Sequence, residues 1–255
     1  MRVVIKVGTS TLAHATGCLN IRQVELLCKV LSDLKNAGHQ VILVSSGAIG
    51  MGIGKLPIQG RPSDMPTKQA AAAVGQCELM YTYDKLFTEY NHVVAQILIT
   101  GDDLDHPDRK ENFENTINRL LELGVLPIIN ENDTIATQEI SVGDNDTLAA
   151  IVTVCSQAEL LVLLSDIDGL YTADPHTDSN AQLIPLVERV DDSLFDIAGE
   201  SGSMGTGGMT TKLKAAKLVT DNGVDMVIAN GSRPEQLYDI VDGRAAGTRF
   251  AGGKK

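Results

Sequence analysis

A lysine near the N-terminus is the first residue of this chain whose position suggests chemistry. Lys6 interrupts an apolar run at residues 3–7 and is followed at once by the Gly-Thr-Ser turn of residues 8–10. Burying a lysine within a strand is costly unless an anion lies nearby. Lys6 is therefore either an exposed residue of an edge strand or a strand-end residue whose ammonium group faces a phosphate. The segments described next favour the phosphate.

A second cationic segment follows a glycine-rich loop late in the chain. Residues 205–212 read Gly-Thr-Gly-Gly-Met-Thr-Thr-Lys, and Lys212, Lys214 and Lys217 fall within the first two turns of the helix expected there. Cations are disfavoured beside a helix N-terminus by up to about 1 kcal/mol each, whereas backbone amides and an ammonium group together suit an anion. The segment is either an anion site or a set of solvated lysines. It is not a P-loop, and no glycine cluster matches the dinucleotide fingerprint.

Aspartates lie in three further polar segments. Asp133 ends an Asn-Glu-Asn-Asp block, Asp144 and Asp146 flank Asn145, and Asp166 follows a run expected to be a buried strand. Either Asp144 or Asp146 could be a helix N-cap, but one cap does not require two aspartates. Asp133, Asp144 and Asp146 could orient the lysines, bind Mg²⁺ or receive a substrate ammonium group. Asp166 is either a turn residue or a ligand contact.

The apolar pattern predicts the elements that position these segments. Short apolar runs, typical of parallel strands covered on both faces, lie at residues 3–7, 41–45, 93–99, 125–129, 160–164 and 225–229. Amphipathic stretches predict helices at 21–36, 67–90, 108–123, 147–157 and 210–222. This alternation predicts an α/β fold, a three-layer α/β/α sandwich with a mostly parallel central sheet. Ligands in such sheets bind beyond the carboxyl ends of the strands, which is where the polar segments fall.

Two stretches interrupt the alternation. Residues 50–66 are rich in glycine and proline and are expected to be a mobile loop. Residues 172–193 are irregular and polar, with a short hairpin expected around residues 183–187. Three Gly residues after predicted helices, at positions 38, 124 and 223, are expected to be left-handed helix caps.

Composition excludes several classes of protein. The 255 residues are 43% hydrophobic and 21% charged, which is ordinary for a globular domain. A net charge of -12 disfavours nucleic acid and anionic membranes as partners. No apolar run approaches the roughly 18 residues of a membrane span, and the N-terminus does not read as a signal peptide, so a cytoplasmic protein is expected. The four cysteines lack metal-binding spacing and are expected to be buried, reduced thiols.

Together these segments resemble the amino acid kinase family over essentially the whole chain. The matching blocks lie at residues 6–10, 46–49, 129–133, 143–146 and 205–209, with a less specific block at 168–175. The resemblance implies the amino acid kinase fold in a single domain, 1–255. Residues 1–158 would form the amino-acid-binding lobe and 159–255 the nucleotide-binding lobe. Because the chain ends at Lys255, the C-terminal PUA domain of many bacterial members is not expected.

The same resemblance implies an activity and its residues. The activity is ATP-dependent phosphorylation of the γ-carboxylate of L-glutamate to L-glutamyl 5-phosphate, the first step of proline biosynthesis. The implied catalytic residues are Lys6, Lys212 and Asp146. The implied substrate-binding residues are Ser46, Gly47, Asp133 and Asn145. The implied nucleotide-binding residues are Lys6, Gly8, Ser165, Asp166, Thr206, Gly207, Gly208, Met209, Thr210, Thr211 and Lys212. ATP and Mg²⁺ are expected, with no protein residue assigned to the metal, together with proline as a feedback inhibitor and a homo-oligomer (a dimer or tetramer).

The chemistry of that reaction fits the residues. A carboxylate acceptor is already ionised at neutral pH and needs no general base, so catalysis consists of positioning and charge stabilisation. Asp133 suits the α-ammonium group of an amino acid, whereas Asn145 and the amides near Gly47 suit its α-carboxylate. The alternatives are a kinase of this fold acting on acetylglutamate, aspartate, carbamate or a nucleoside monophosphate, and a non-catalytic sensor of proline or glutamate. A dinucleotide oxidoreductase is a more distant alternative.

Overall fold

An eight-stranded sheet forms the middle layer of the computed structural model, which describes residues 1–14, 16, 18–58, 60, 62–135, 145–175, 177–197 and 208–253. The strands are β1 (Arg2–Val7), β2 (Gln40–Ser45), β3 (Val94–Ile99), β4 (Leu126–Glu131), β5 (Leu160–Ser165), β6 (Leu186–Val187), β7 (Asp225–Asn230) and β8 (Thr248–Phe250). Their order across the sheet is β3-β4-β2-β1-β5-β7-β8-β6. Every pairing is parallel except that of β7 with β8.

Helices cover both faces of this sheet. They are α1 (Thr9–Leu12), α2 (Ile21–Asn36), α3 (Ala48–Lys55), α4 (Met65–Thr88), α5 (Gly101–Asp105), α6 (Pro107–Glu122), α7 (Asn145–Cys155), α8 (Asp192–Ile197), α9 (Met209–Asp221) and α10 (Gln236–Val241). Side-chain N-caps begin two of the longer helices, α2 and α4. The side chain of Asn20 accepts from the backbone N–H of Gln23 at the start of α2, and that of Asp64 accepts from Thr67 at the start of α4.

The central strands are apolar on both faces because each face is covered. Alternate side chains of β1 enter opposite cores: Val4 packs in the core beneath α7 and α9, whereas Val3 and Ile5 pack in the core beneath α2 and α4. This arrangement confirms the predicted three-layer α/β fold. The predicted strands and helices all occur, with bounds that differ by at most two residues. Gly38, Gly124 and Gly223 have positive φ, as predicted for helix caps.

The prediction of a mobile loop at residues 50–66 is wrong for its first part. Residues 48–55 form α3, and α4 begins at Met65. The glycines that suggested a loop allow the two helices to touch instead. A Cβ atom on Gly52 would overlap the backbone of Ala71, and one on Gly75 would overlap the carbonyl oxygen of Ala48. Tertiary contact therefore overrides the weak helix propensity of glycine.

Two smaller expectations also need correction. Residues 183–187 do not form a local hairpin: Leu186–Val187 is β6, which pairs in parallel with β8, and an antiparallel bridge joins Tyr171 to Leu183. All four cysteines are free, but only Cys28 and Cys155 are buried. Cys18 and Cys77 are exposed, because Cys77 lies on the solvent side of α4 and Cys18 precedes α2 in a surface loop. Over the part of the chain that the structure describes, no helix has the length and apolarity needed to cross a membrane.

Candidate active site

One aspartate carboxylate binds two lysine ammonium groups where the carboxyl end of β1 meets the helices α7 and α9. Lys6 Nζ lies 2.6 Å from Asp146 Oδ1, and Lys212 Nζ lies 3.0 Å from Asp146 Oδ2. The side chain of Asp146 is fully buried, and those of both lysines are 8% exposed. Thr211 Oγ1 lies 3.4 Å from Asp146 Oδ2 and donates to the carbonyl oxygen of Gly208 over 2.8 Å. The structure thus brings together Lys6, Asp146 and Lys212, the three residues that the resemblance implied to be catalytic.

Three buried charged side chains, two ammonium groups and one carboxylate, meet at this point. Two ammonium groups alone would repel each other, and burying them uncompensated would be costly. Asp146 lies in the first turn of α7, where the helix dipole favours a carboxylate. Two ammonium groups on one carboxylate are a suitable arrangement for a further anion to join. An anion bound there would lie within a few ångströms of the ammonium groups, where the Coulomb attraction is strong.

The first turn after β1 passes close to this cluster. Gly8 is the N-cap of α1, and a Cβ atom on it would lie 3.8 Å from Lys6 Nζ and 3.8 Å from Ser10 Oγ. A glycine at this position keeps the space beside the ammonium group open. Lys214 and Lys217, by contrast, are exposed, and Lys217 pairs with Asp221 at 3.1 Å. Of the three lysines of α9, Lys212 alone is in the buried cluster, so Lys214 and Lys217 correspond to the solvated alternative.

A second group of polar side chains joins β2, β4 and α7. The side-chain amide nitrogen of Asn145 lies 2.8 Å from the carbonyl oxygen of Ser45, 2.8 Å from Ser46 Oγ and 2.9 Å from Asn130 Oδ1. Asn130 Nδ2 in turn donates to Gln76 Oε1 of α4 over 2.9 Å. Ser46 and Asn145, which the sequence singled out, are therefore in contact.

A left-handed glycine makes the turn that presents Ser46. Gly47 has φ +104° and is the N-cap of α3, and the backbone N–H of Ser46 donates to the carbonyl oxygen of Val7 over 3.1 Å. Because a side chain at φ +104° would be strained, only glycine fits this turn easily. The turn sets the backbone of residues 46–47 at the end of β2, beside the carboxyl end of β1.

Two carboxyl groups near the end of β4 have raised pKa values. Burial raises the pKa of Asp133 to about 6. Burial and the neighbouring charge of Asp133 raise the pKa of Glu131 to about 7. Within the described residues, Glu131 Oε1 is buried without a hydrogen-bond partner, and no hydrogen bond joins Asp133 to the group around Asn145. Displaced acid pKa values of this kind recur at functional sites, although structural charges produce them as well.

A cavity of about 260 Å³ lies on the other side of β1. Its lining includes Ser10, Gln23, Ser165, Asp166 and Asn230. Ser165 Oγ donates to Asp166 Oδ1 over 3.0 Å, and the backbone N–H of Gly231 donates to the carbonyl oxygen of Ser165 over 2.7 Å. Ser165 and Asp166, which the resemblance assigned to the nucleotide, therefore lie at the edge of an open polar cavity.

The glycine loop before α9 is only partly described. Gly208 is the N-cap of α9, and Met209, Thr210 and Thr211 form its half-buried first turn. Thr206 and Gly207 lie outside the described residues, as does Asp144. The roles expected of these three therefore stay predictions.

Sequence reasoning assigned no role to Asn130 or Gln76. Asn130 lies within the Asn-Glu-Asn-Asp block that the sequence singled out, but the sequence does not reveal its hydrogen-bond partners. Gln76 gave a weaker signal: it is a polar residue between Gly75 and Leu79, on the buried side of α4. An amide on an apolar helix face usually has a hydrogen-bond partner, but the sequence does not identify that partner.

Comparison with known proteins adds an independent observation. The model of the amino acid kinase family matches residues 1–230. The glutamate 5-kinase of Clostridium perfringens is 50% identical, over 99% of this chain and 96% of that protein. The glutamate 5-kinase of Clostridium acetobutylicum is 52% identical, over 98% and 94%. The glutamate 5-kinase of Caldanaerobacter subterraneus is 49% identical over 98% of this chain, which spans 68% of that longer protein.

Two solved structures share the architecture. Carbamate kinase from Giardia lamblia bound to AMP-PNP has a TM-score of 0.71 at 16% identity and covers 98% of both chains. UMP kinase from Bacillus anthracis has a TM-score of 0.68 at 16% identity, with 99% of this chain and 96% of that chain covered. At this identity the likeness concerns the fold alone, and it agrees with the predicted α/β/α sandwich.

Proposed function

Because the chain belongs to the amino acid kinase family, we propose that it transfers the γ-phosphoryl group of ATP to the γ-carboxylate of L-glutamate. The product is L-glutamyl 5-phosphate, and the reaction is the first step of proline biosynthesis. The relatives that share about half of its residues over nearly its whole length are glutamate 5-kinases. The observation that carries the mechanism is the buried cluster in which Asp146 binds both Lys6 and Lys212.

The two lysines stabilise the group in transfer. An anionic acceptor must approach a polyanionic donor, and the charge that develops on the phosphoryl oxygens needs fixed cations nearby. Lys6 and Lys212 supply two ammonium groups on rigid elements, β1 and α9. Asp146 acts as a positioning residue that holds both nitrogens in place. No proton has to be removed from the ionised acceptor, so no general base is required.

The acceptor amino acid lies on the β2 and β4 side of this cluster in our proposal. Asp133 receives the α-ammonium group, while Ser46, Gly47 and Asn145 bind the rest of the glutamate backbone. The nucleotide lies on the β5 side, against Gly8, Ser165, Asp166 and residues 206–212. Residues 1–158 then form the amino-acid lobe and 159–255 the nucleotide lobe, with the Lys6–Asp146–Lys212 cluster at their junction.

The described donor set does not fit a magnesium ion held by the protein alone. Among the described residues, no group of three His, Cys, Asp or Glu side chains could bind a metal, and Asp146 is already paired with two cations. Mg²⁺ is commonly bound by substrate phosphates with few protein ligands. We propose that Mg²⁺ enters as its complex with ATP, and we derive no step through it.

Three further properties belong to the same proposal. Proline, an amino acid with the same backbone groups, would compete in the pocket of Asp133 and Asn145. A homo-oligomer, either a dimer or a tetramer, is proposed from the resemblance. A cytoplasmic location is proposed because the reaction consumes ATP.

A trapping assay tests the proposed function. Purified protein is incubated with L-glutamate, ATP, Mg²⁺ and hydroxylamine, and γ-glutamyl hydroxamate is measured together with ADP. Both products are expected with glutamate, and neither with acetylglutamate, aspartate, carbamate or UMP. The Lys212→Ala variant, purified in parallel, controls for contaminating enzymes. Faster ADP release with another acceptor would overturn the substrate, and calorimetric binding of glutamate without any turnover would indicate a sensor.

A further inference from the structure

A chain of three side-chain amides runs from helix α4 to the proposed amino-acid pocket. Gln76 Oε1 accepts from Asn130 Nδ2 over 2.9 Å, and Asn130 Oδ1 accepts from Asn145 Nδ2 over 2.9 Å. Asn130 Oδ1 also accepts from the backbone N–H of Glu131 over 2.9 Å. Gln76 is 7% exposed and Asn130 is 2% exposed, so water does not readily replace these partners.

Backbone groups determine which atom of each side-chain amide, in Asn130 and Asn145, is the oxygen and which is the NH₂ nitrogen. The carbonyl oxygen of Ser45 can only accept, so the atom of Asn145 that faces it at 2.8 Å must be the NH₂ group. The N–H of Glu131 can only donate, so the atom of Asn130 that faces it must be the oxygen. The remaining NH₂ group of Asn130 then needs an acceptor, and Gln76 Oε1 supplies it.

This order uses the donors of Asn145 within the protein. Its two N–H donors face three protein acceptors, on Ser45, Ser46 and Asn130. Among the residues that the structure describes, no donor contacts the carbonyl oxygen of Asn145, and an oxygen acceptor suits the N–H of an amine. That role differs from the carboxylate contact expected from the sequence, and it revises the assignment proposed above by adding Asn145 to Asp133 in recognising a free α-ammonium group.

We propose that Gln76 is a positioning residue that sets the affinity of the site for the amino acid acceptor by holding Asn130, and through it Asn145, in this orientation. The proposal rests on the proposed function, since it assumes that Asn145 contacts glutamate. Without Gln76 Oε1 the buried NH₂ group of Asn130 has no acceptor, which is a costly arrangement. Asn130 is then expected to turn away, and Asn145 loses one of its three acceptors while it keeps those on Ser45 and Ser46.

Three variants separate positioning from a general effect on α4. Gln76→Met keeps the length and volume of the side chain without the acceptor. Gln76→Glu keeps an acceptor oxygen in either protonation state. Tyr83→Phe is the matched control, because it removes a different buried hydrogen bond of α4, the one between Tyr83 OH and Ser45 Oγ at 2.9 Å. Each variant is assayed for kcat, for KM of glutamate and of ATP, for glutamate binding by calorimetry, and for Tm.

Gln76→Met is expected to raise the KM and the calorimetric Kd for glutamate about tenfold, the scale of one lost buried hydrogen bond. The KM for ATP should stay within about twofold of wild type. Gln76→Glu should restore glutamate affinity to within about threefold of wild type. Tyr83→Phe should lower Tm without changing the affinity for glutamate.

The proposal is overturned by unchanged glutamate affinity in Gln76→Met, by an equal loss in Gln76→Glu or Tyr83→Phe, or by an equal rise in the KM for ATP. If Gln76→Met does not fold, Gln76→Leu takes its place. Failure of both to fold while Tyr83→Phe folds would show a purely structural role and reject the proposal.

Calorimetry separates the proposal for Gln76 from the proposed function. Wild-type protein that binds glutamate without turnover rejects the function only, whereas equal Kd values in wild type and Gln76→Met reject the role of Gln76. A wild-type protein that does not bind glutamate rejects both.

Discussion

At the scale of single residues, the central feature is a carboxylate shared between two ammonium groups. Asp146 is fully buried and contacts Lys6 and Lys212 at 2.6 and 3.0 Å. Removing one partner from a buried ionic cluster leaves the others uncompensated, so each residue affects the others. Effects of substitutions within this cluster should therefore not add.

Replacing either lysine should abolish most of the turnover. We expect Lys6→Ala and Lys212→Ala each to lower kcat by about 10³-fold, because each removes a cation placed for the transition state. The glutamate KM should change less, and initial rates with a coupled ADP assay measure both. Lys214→Ala on the same helix is the control and should stay within about twofold of wild type, since Lys214 is exposed. Wild-type turnover in Lys6→Ala or Lys212→Ala would refute the mechanism.

The raised pKa of Asp133 gives the glutamate site a pH dependence. An ionised Asp133 is required to attract the substrate ammonium group, and its pKa is about 6. Affinity for glutamate is therefore present above about pH 6 and lost below it, with KM rising up to tenfold per pH unit. Asp133→Asn should raise KM about tenfold or more at pH 8 and flatten this profile. A profile of KM from pH 5 to 8 that is the same in both proteins would contradict the assignment.

The ionised carboxylate of Asp133, which substrate binding requires, should lower the free energy of unfolding. Burial raises the pKa of Asp133 from 3.8 to about 6 and that of Glu131 from 4.5 to about 7, so the folded protein binds these protons more tightly than the unfolded chain. The free energy of unfolding therefore falls as pH rises from about 4 to 7 through these groups. Thermal melts should show Asp133→Asn more stable than wild type at pH 8, with a smaller difference at pH 4. An Asp133→Asn protein that melts below wild type at pH 8 would disprove this.

The lysines could be predicted from sequence, whereas the amide chain could not. Lys6 interrupts an apolar strand and Lys212 follows a glycine loop at a helix start, so both break a local rule. Gln76 is a polar residue on the buried side of α4, but its partner Asn130 lies 54 positions away. Their contact depends on how α4 packs over β4, which local pattern does not reveal.

At the scale of elements, the contact of α3 with α4 determines the shape of the amino-acid side. Gly52 and Gly75 bring the two helix backbones together, and α3 follows directly from the Ser46–Gly47 turn. The sequence read these glycines as a loop because glycine is a poor helix former. The reason they are helical lies in a neighbouring helix, which a local pattern does not contain.

A methyl group at this crossing should affect both stability and substrate binding. Gly75→Ala places a Cβ atom against the carbonyl oxygen of Ala48, and the backbone there cannot move without displacing α3. We expect a loss of about 1–3 kcal/mol in the free energy of unfolding and a raised KM for glutamate, with a smaller effect on ATP. Gly253→Ala is the control, since a Cβ atom there meets nothing within 4 Å. Urea unfolding measures the loss, and equal stability of the two variants would contradict the packing argument.

At the scale of the whole molecule, one continuous sheet joins the two proposed lobes. β1 pairs with β2 on one side and with β5 on the other, from Val3↔Leu160 to Val7↔Leu164. Lys6 and Asp146 belong to the first lobe and Lys212 to the second. The lobes are therefore distinguished by what we propose they bind and not by separate hydrophobic cores, since each core draws residues from both.

Neither lobe should therefore fold as an isolated fragment. A fragment of residues 1–158 lacks β5 and exposes one edge of β1, a strand buried on both faces. We expect the fragment to lack a cooperative urea transition by circular dichroism, and the full chain to show a single one. A cooperative transition in the fragment would mean that the lobes are independent folding units.

The order of strands at the far edge of the sheet also constrains the sequence of events in folding. β8 lies between β7 and β6, although β6 comes about sixty residues earlier in the chain. While the ribosome is still making residues 190–247, β6 has no strand with which to pair. Its strand pairing must wait until Thr248–Phe250 has been made. Pairing of β6 into the sheet is thus a later event than the pairing of β1 with β2 and β5.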